Sequence, residues 1–210
     1  MNINYLNFKT MKTSKLFIAA IFCLSLITSC SSDDDNSSGN PDLIDPVELI
    51  TNVTLTFTNT ADANDVIVMT DIKPNGQEGG IVLQNDVVGT FTAGEEYALG
   101  LEVLNASNPA DIDDVLNDDI VVENDEHFFQ YALSTGLDMS MTRDADDIDG
   151  ADGTKLGYNT TWVANTASTG NLQIILVHIP ATADDTDPFG ATTGGEEDFT
   201  ITFDGVTIVE

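Results

Sequence analysis

The chain contains only two histidines, imidazole being a common metal ligand, and one of them lies beside carboxylates. In the run Asp125-Glu126-His127-Phe128-Phe129, strand alternation would place Asp125, His127 and Phe129 on one face and Glu126 on the other. His178 closes the alternating run Leu172, Ile174, Leu176, just before Pro180, which cannot donate to a sheet ladder. If these two strand ends are neighbours, Asp125, His127 and His178 converge, and two imidazoles with a carboxylate suit Zn²⁺ or another first-row metal. Two imidazoles also serve haem iron as axial ligands. Ordinary strand-end histidines, each bonded to the backbone, would account for the same placement.

Carboxylates supply a second set of candidates. Asp144, Asp146, Asp147, Asp149 and Asp152 surround Gly150 and Gly153, and hard oxygen ligands of this kind suit Ca²⁺. An EF-hand does not fit: with Gly150 as its invariant glycine, Ala145 takes the first ligand position and Leu156 the place of the bidentate Glu. The alternative is a strongly solvated acidic surface. Enzymatic signatures are absent: there is no Gly-x-Ser-x-Gly elbow, no phosphate-cradling glycine loop and no His-Glu-x-x-His. The chain therefore reads as a non-enzyme. Trp162, Tyr158 and Tyr97 would offer a carbohydrate platform if exposed, but their alternation with Thr160 favours the core.

The elements that must position these residues are strands. Val53, Leu55, Phe57 alternate with Thr54, Thr56, Thr58, and Tyr97, Leu99, Leu101, Val103 and Phe199, Ile201, Phe203 repeat the pattern. Further runs lie at 66–69, 81–83, 127–133, 139–141, 158–163 and 172–179. One short helix is expected at 108–116, with Asn108 as cap and Pro109 at the first helical position. Strands separated by short turns, with almost no helix, predict an all-β fold, an antiparallel β-sandwich of immunoglobulin-like type with about seven to nine strands.

Of 210 residues, 36 are Asp or Glu and six are Lys or Arg, giving a formal charge of -30. Three of the cations (Lys9, Lys12, Lys15) precede every acid, and only Lys73, Arg143 and Lys155 follow Cys30. Nucleic acid is excluded as a partner, since phosphate backbones demand clustered cations. Lys12 and Lys15, the apolar stretch 16–27 and Thr28-Ser29-Cys30 read as an export signal over 1–29. The apolar stretch is too short to span the roughly 30 Å hydrocarbon core. Leu26 to Cys30 resembles a bacterial lipobox, which implies acylation of Cys30 and membrane attachment through the lipid. The following Ser31-Ser32-Asp33-Asp34-Asp35 resembles the export tag of Bacteroidota surface lipoproteins, implying Ser32, Asp33, Asp34 and Asp35 as the tag and the outer leaflet of the outer membrane as the destination. Residues 30–48 are also too polar to pack and read as an acidic flexible tether, leaving 49–210 as the β-sandwich domain. Cys23 falls within the export signal, so stability of the domain must come from its core rather than from disulfides.

Several segments in order carry a wider likeness: Val53 to Thr58, Glu95-Glu96-Tyr97, Asp125 to Phe129, Ala167 to Leu172, and Val177-His178-Ile179-Pro180. Together with the lipobox and tether they resemble a group of small, uncharacterised Bacteroidota surface lipoproteins. Such relatives sometimes carry the label of a type 1 periplasmic binding fold. This chain contradicts it, lacking the length and the helices for two α/β lobes. The resemblance implies a cell-surface location and brings no established activity; with that location, the expected function is binding of a small ligand or metal, Zn or Ca by the residues above, as accessory to a TonB-dependent receptor. The alternative is a structural or adhesive surface module with no small-molecule ligand. For the anchor the expected result is direct: an alkyne fatty acid fed to cells labels the wild-type protein and leaves Cys30→Ser unlabelled. An unlabelled wild type would remove the anchor.

Overall fold

The computed structural model describes residues 49–77, 80–150 and 152–210. The export signal, Cys30, Ser32, Asp33, Asp34, Asp35 and the remainder of the 30–48 tether lie outside the described residues. No helix among the described residues is long and apolar enough to cross a membrane.

The alternating segments form an antiparallel β-sandwich. In β1 (Asn52–Asn59), Val53, Leu55 and Phe57 are fully buried while the intervening threonines are half-buried. This strand pairs with β2 (Val66–Ile72) on one side and β5 (Glu96–Leu104) on the other, both antiparallel. Addition of β3 (Gln84–Val88) beyond β2, and of β8 (Thr160–Ala164) and β7 (Met139–Arg143) beyond β5, completes six strands in the order β3-β2-β1-β5-β8-β7. The second sheet runs β4-β12-β9-β6, from β4 (Phe91–Thr92), β12 (Glu196–Val209), β9 (Ser168–His178) and β6 (His127–Leu133). Only the short β4–β12 pair is parallel. A ribbon of β10 (Thr182–Asp184) and β11 (Ala191–Thr193) forms separately.

The twelve strands exceed the expected seven to nine because β4, β10 and β11 are two or three residues long, too short to leave a period-2 trace. Two segments depart from expectation. The strand expected at 81–83 begins instead at Gln84, which pairs with Ile72, and Ile81 and Leu83 are 73% and 70% exposed on the approach. The helix expected at 108–116 gives way to one helical turn at Leu116–Ile120. An antiparallel bridge between Asn105 and Asp113 folds the chain back through a turn at 108–111 where helix was expected, and the helical turn forms only beyond Asp114, whose carboxylate accepts from the Asn117 N–H. Val115, Leu116 and Ile120 then enter the core.

Aromatic rings join the two sheets. Trp162 of β8 meets Phe57 edge-on at 5.7 Å and, across the sandwich, Tyr131 of β6 at 5.2 Å; Phe91 of β4 meets Phe57 and Tyr97 at 5.2 and 4.9 Å. Each such pair contributes about 0.5–1.5 kcal/mol beyond the burial itself. Their polar tips are satisfied: Trp162 Nε1 donates to Thr160, Tyr97 to Asp65, and Tyr131 to the Gly157 carbonyl. Trp162 and Tyr97 are therefore core residues rather than a carbohydrate platform.

One cation is built into this packing. Arg143, at the end of β7, reaches across to the second sheet, where Nη2 donates to the Phe129 carbonyl at 2.8 Å, and Nη1 donates to the carbonyl of loop residue Lys155 at 3.2 Å. Its guanidinium lies 4.5 Å from the Phe128 ring centroid. Burial draws its pKa down, opposed by Tyr131, Asp147, Asp185 and Asp187 nearby. Gly157 and Gly190 make the space: a Cβ on either would stand 1.6 Å from Nη1 or 2.2 Å from Nη2, and both backbones have positive φ. Arg143→Ala and Gly157→Ala should each lower the unfolding free energy by about 3 kcal/mol or more, through orphaned carbonyls or a displaced guanidinium. Urea denaturation measures this, and losses below about 1 kcal/mol in both variants would show that the guanidinium is dispensable.

Candidate metal centre

His127 and His178 face one another across the β6–β9 ladder as a register pair, and Glu196 of β12 stands opposite His178 on the other side. On both strands the histidine continues the inward-facing series, after Phe129 and Tyr131 in β6 and Leu172, Ile174 and Leu176 in β9. The imidazoles thus stack at the end of the sandwich, with centroids 4.8 Å apart and planes 7° from parallel. His127 is buried, whereas the side chain of His178 keeps 18% of its surface exposed.

Asp198 completes the group. Its carboxylate oxygens lie 3.7 Å from His127 Nε2 and 3.9 Å from His178 Nδ1, and the ligand atoms of the three residues are all within 4.8 Å of one another. Two nitrogens sharing an ion at about 2.0–2.1 Å stand at most about 4 Å apart, so a closure of about an ångström would bring the group into bonding range. Strand alternation from Phe199, Ile201 and Phe203 would turn Asp198 to the outside. It faces the histidines because the β12–β9 register slips between Glu197 and Phe199, leaving Asp198 as the extra residue of a β-bulge. Bulges re-aim side chains in this way.

Asp125, expected as the carboxylate partner, is not in the group. Strand β6 begins at His127, so the alternation that would align Asp125 with it does not reach back that far; residues 121–126 form turns and Asp125 is exposed. It lines instead a 160 Å³ pocket on the other flank of His127, with Asn124, Asp152 and Thr154. The neighbouring turn residues serve the histidines differently. The Glu123 carbonyl accepts from the Glu126 N–H at 2.9 Å and from His127 Nδ1 at 3.1 Å. A carbonyl can only accept, so His127 carries a proton on Nδ1, and in the neutral ring Nε2 is the lone-pair nitrogen on the side of Asp198. The Glu126 carboxylate lies 3.4 Å from His178 Nε2. Haem is excluded between these histidines, since they stand on hydrogen-bonded neighbouring strands about 4.8 Å apart, with no room for a macrocycle.

The acidic loop of 144–152 does not converge on a cation position. Asp144 accepts from Thr161, Asp146 from Asn159, and Asp149 pairs with Lys155 at 2.8 Å. Buried Asp147 takes the N–H groups of Gly157, Ile148 and Asn159, while Asp152 accepts the N–H and hydroxyl of Thr154. These carboxylates close turns and fasten the loop. Among the described residues, the group of three or more His, Cys, Asp or Glu side chains with metal-binding spacing is His127, His178 and Asp198.

No protein-family model, curated protein or solved structure matches this chain.

The loop carboxylates differ in their protonation. Burial pushes the Asp147 carboxyl up, against the pull of its N–H donors and Arg143, whereas the Thr154 hydroxyl and N–H hold exposed Asp152 below the usual range. Asp147's contribution to stability therefore falls as pH rises from the ordinary carboxylate value through its raised one. That of Asp152 is present above the ordinary value and is lost as pH falls through its lowered one. Carboxyl ¹³C titration should show Asp147 protonating before Asp152 on acidification, and the reverse order would contradict this account of the two groups.

Proposed function

We propose that the protein is a lipid-anchored surface protein of the outer membrane that captures a transition-metal ion at the His127–His178–Asp198 end of its sandwich. The observation that carries this reading is the convergence of the only two imidazoles in the chain with a bulge-directed carboxylate. Two nitrogens and one oxygen suit Zn²⁺, Cu²⁺ or Ni²⁺ and are a poor match for Ca²⁺, which prefers six to eight oxygens. Three protein ligands leave further coordination positions to water or an incoming group, as expected of a site that takes up and releases its ion. Location and the family likeness support a role as accessory to a TonB-dependent receptor, with the acidic surface raising the local concentration of cations.

Calorimetric titration of the wild-type domain with Zn²⁺ should give one site, resistant to millimolar Ca²⁺. His127→Ala and Asp198→Ala should abolish it, while Asp125→Ala should leave it unchanged. Saturation to about 100 times Kd should stabilise the fold by about 2.7 kcal/mol. A wild type that takes up no ion, or a site indifferent to His127→Ala, would refute the proposal.

A further inference from the structure

The turn before β6 does more than connect elements. Its Glu126 is held at two points against the end of β9. The main-chain carbonyl of Glu126 accepts from the Ile179 N–H, and the carboxylate faces His178 Nε2 at 3.4 Å. For the first contact Ile179 takes φ 47°, the only positive value at a non-glycine among the described residues. A β-branched residue in the left-handed region costs about 1–2 kcal/mol, and strain of this sort persists where surrounding contacts impose it. The chain thus accepts a strained Ile between His178 and Pro180 and, in doing so, fixes Glu126 beside the imidazole.

The consequence falls on the choice of ligand atom. A carboxylate accepts, so a neutral His178 that donates to Glu126, the nearer of its two carboxylates, carries its proton on Nε2 and leaves the Nδ1 lone pair directed at Asp198, 3.9 Å away. Across the stack, the Glu123 carbonyl keeps the His127 proton on Nδ1 and leaves Nε2 directed at the same carboxylate. Neighbouring imidazoles are thus set in opposite tautomers by two residues of one turn. Both lone pairs meet an anionic oxygen, an arrangement that a shared cation satisfies.

Resting on the metal-binding reading above, we propose that a first-row divalent ion is bound through His127 Nε2, His178 Nδ1 and Asp198, with Glu126 as the positioning residue that selects Nδ1 of His178. Glu126 acts through the imidazole and does not touch the ion. Outer-shell acceptors of ligating histidines typically govern affinity by 10–100-fold.

The test uses Zn²⁺ and the folded domain labelled with ¹⁵N-histidine, in which only two rings contribute to the long-range ¹H–¹⁵N spectrum. In the zinc-loaded wild type, Nε2 of His127 and Nδ1 of His178 should carry the metal shifts. Glu126→Gln retains an acceptor oxygen, and should keep that signature with affinity within about fivefold, the change expected from one nearby charge in high dielectric. Glu126→Ala should weaken Zn²⁺ binding about 10–100-fold and leave His178 divided between its two nitrogens. The bond from Ile179 runs to the main chain, so neither substitution removes it. Ligation of His178 through Nε2 in the wild type would overturn the proposal. So would Gln as damaging as Ala, which would make Glu126 a direct ligand, or Ala as harmless as Gln. Absence of zinc binding by the wild type is a different result, and would remove the underlying metal reading as well.

Discussion

The sandwich depends on a guanidinium enclosed in an otherwise acidic molecule. Arg143 leaves the edge of the first sheet and bonds the backbone of β6 in the second, so it spans the two layers where the loops 144–157 and 185–190 fold over. The same loops occupy the outer edge of β6. Phe129 donates its N–H to Leu156 and Tyr131 its N–H to Phe189, so the strand that carries His127 is bonded along both sides. A buried cation of this kind is costly unless its hydrogen bonds are met. Here two carbonyls take Nη1 and Nη2 and the Phe128 ring lies beside the cation, while the buried Nε has no hydrogen-bond partner, and Asp147 holds the other side of Gly157. The placement of His127 follows from this anchoring, because the backbone of β6 is bonded on both edges.

On that strand, the candidate metal centre is assembled from small departures from regularity. Plain alternation delivers His127 and His178 to one face and register places them side by side. The third member of the group needs a bulge, and the orientation of the rings needs a turn whose carbonyl and carboxylate point back at them. Each departure has a local cost, in a lost ladder bond at Asp198 or a left-handed Ile179, and they occur within one small region. Such clustering is what a functional site requires of a scaffold that elsewhere follows the rules.

Much of this was legible in the sequence and some was not. Alternation located the principal strands and their buried faces, because a two-sided sheet enforces period 2 over long stretches such as 53–57 and 199–203. It also located the two histidines at strand ends. It misassigned the carboxylate, since alternation says nothing about where a strand begins: Asp125 lies two residues from His127 but outside the ladder. Asp198 was hidden for the opposite reason, lying within a strand whose parity points it outward until the bulge is known. Nothing in its immediate sequence marks a bulge, and only the pairing with β9 reveals it. The aspartates of 144–152 resembled ligands by composition, yet they are consumed in bonding main-chain N–H groups and neighbouring side chains, a demand that depends on the folded path of the loop.

The way the three basic residues beyond Cys30 are held has a consequence for attack by proteases. Proteases that cut after Lys or Arg find few openings. Lys73 is followed by Pro74, a bond such enzymes pass over, and Arg143 is enclosed between the sheets. That leaves the Lys155–Leu156 bond, whose Lys155 ammonium is fastened to Asp149 and to the carbonyls of Ala145 and Asp147, with Leu156 buried behind it. A trypsin-like enzyme must therefore wait for the domain to open before it can cut, so that for this class of attack the lifetime of the protein is set by the stability of its fold.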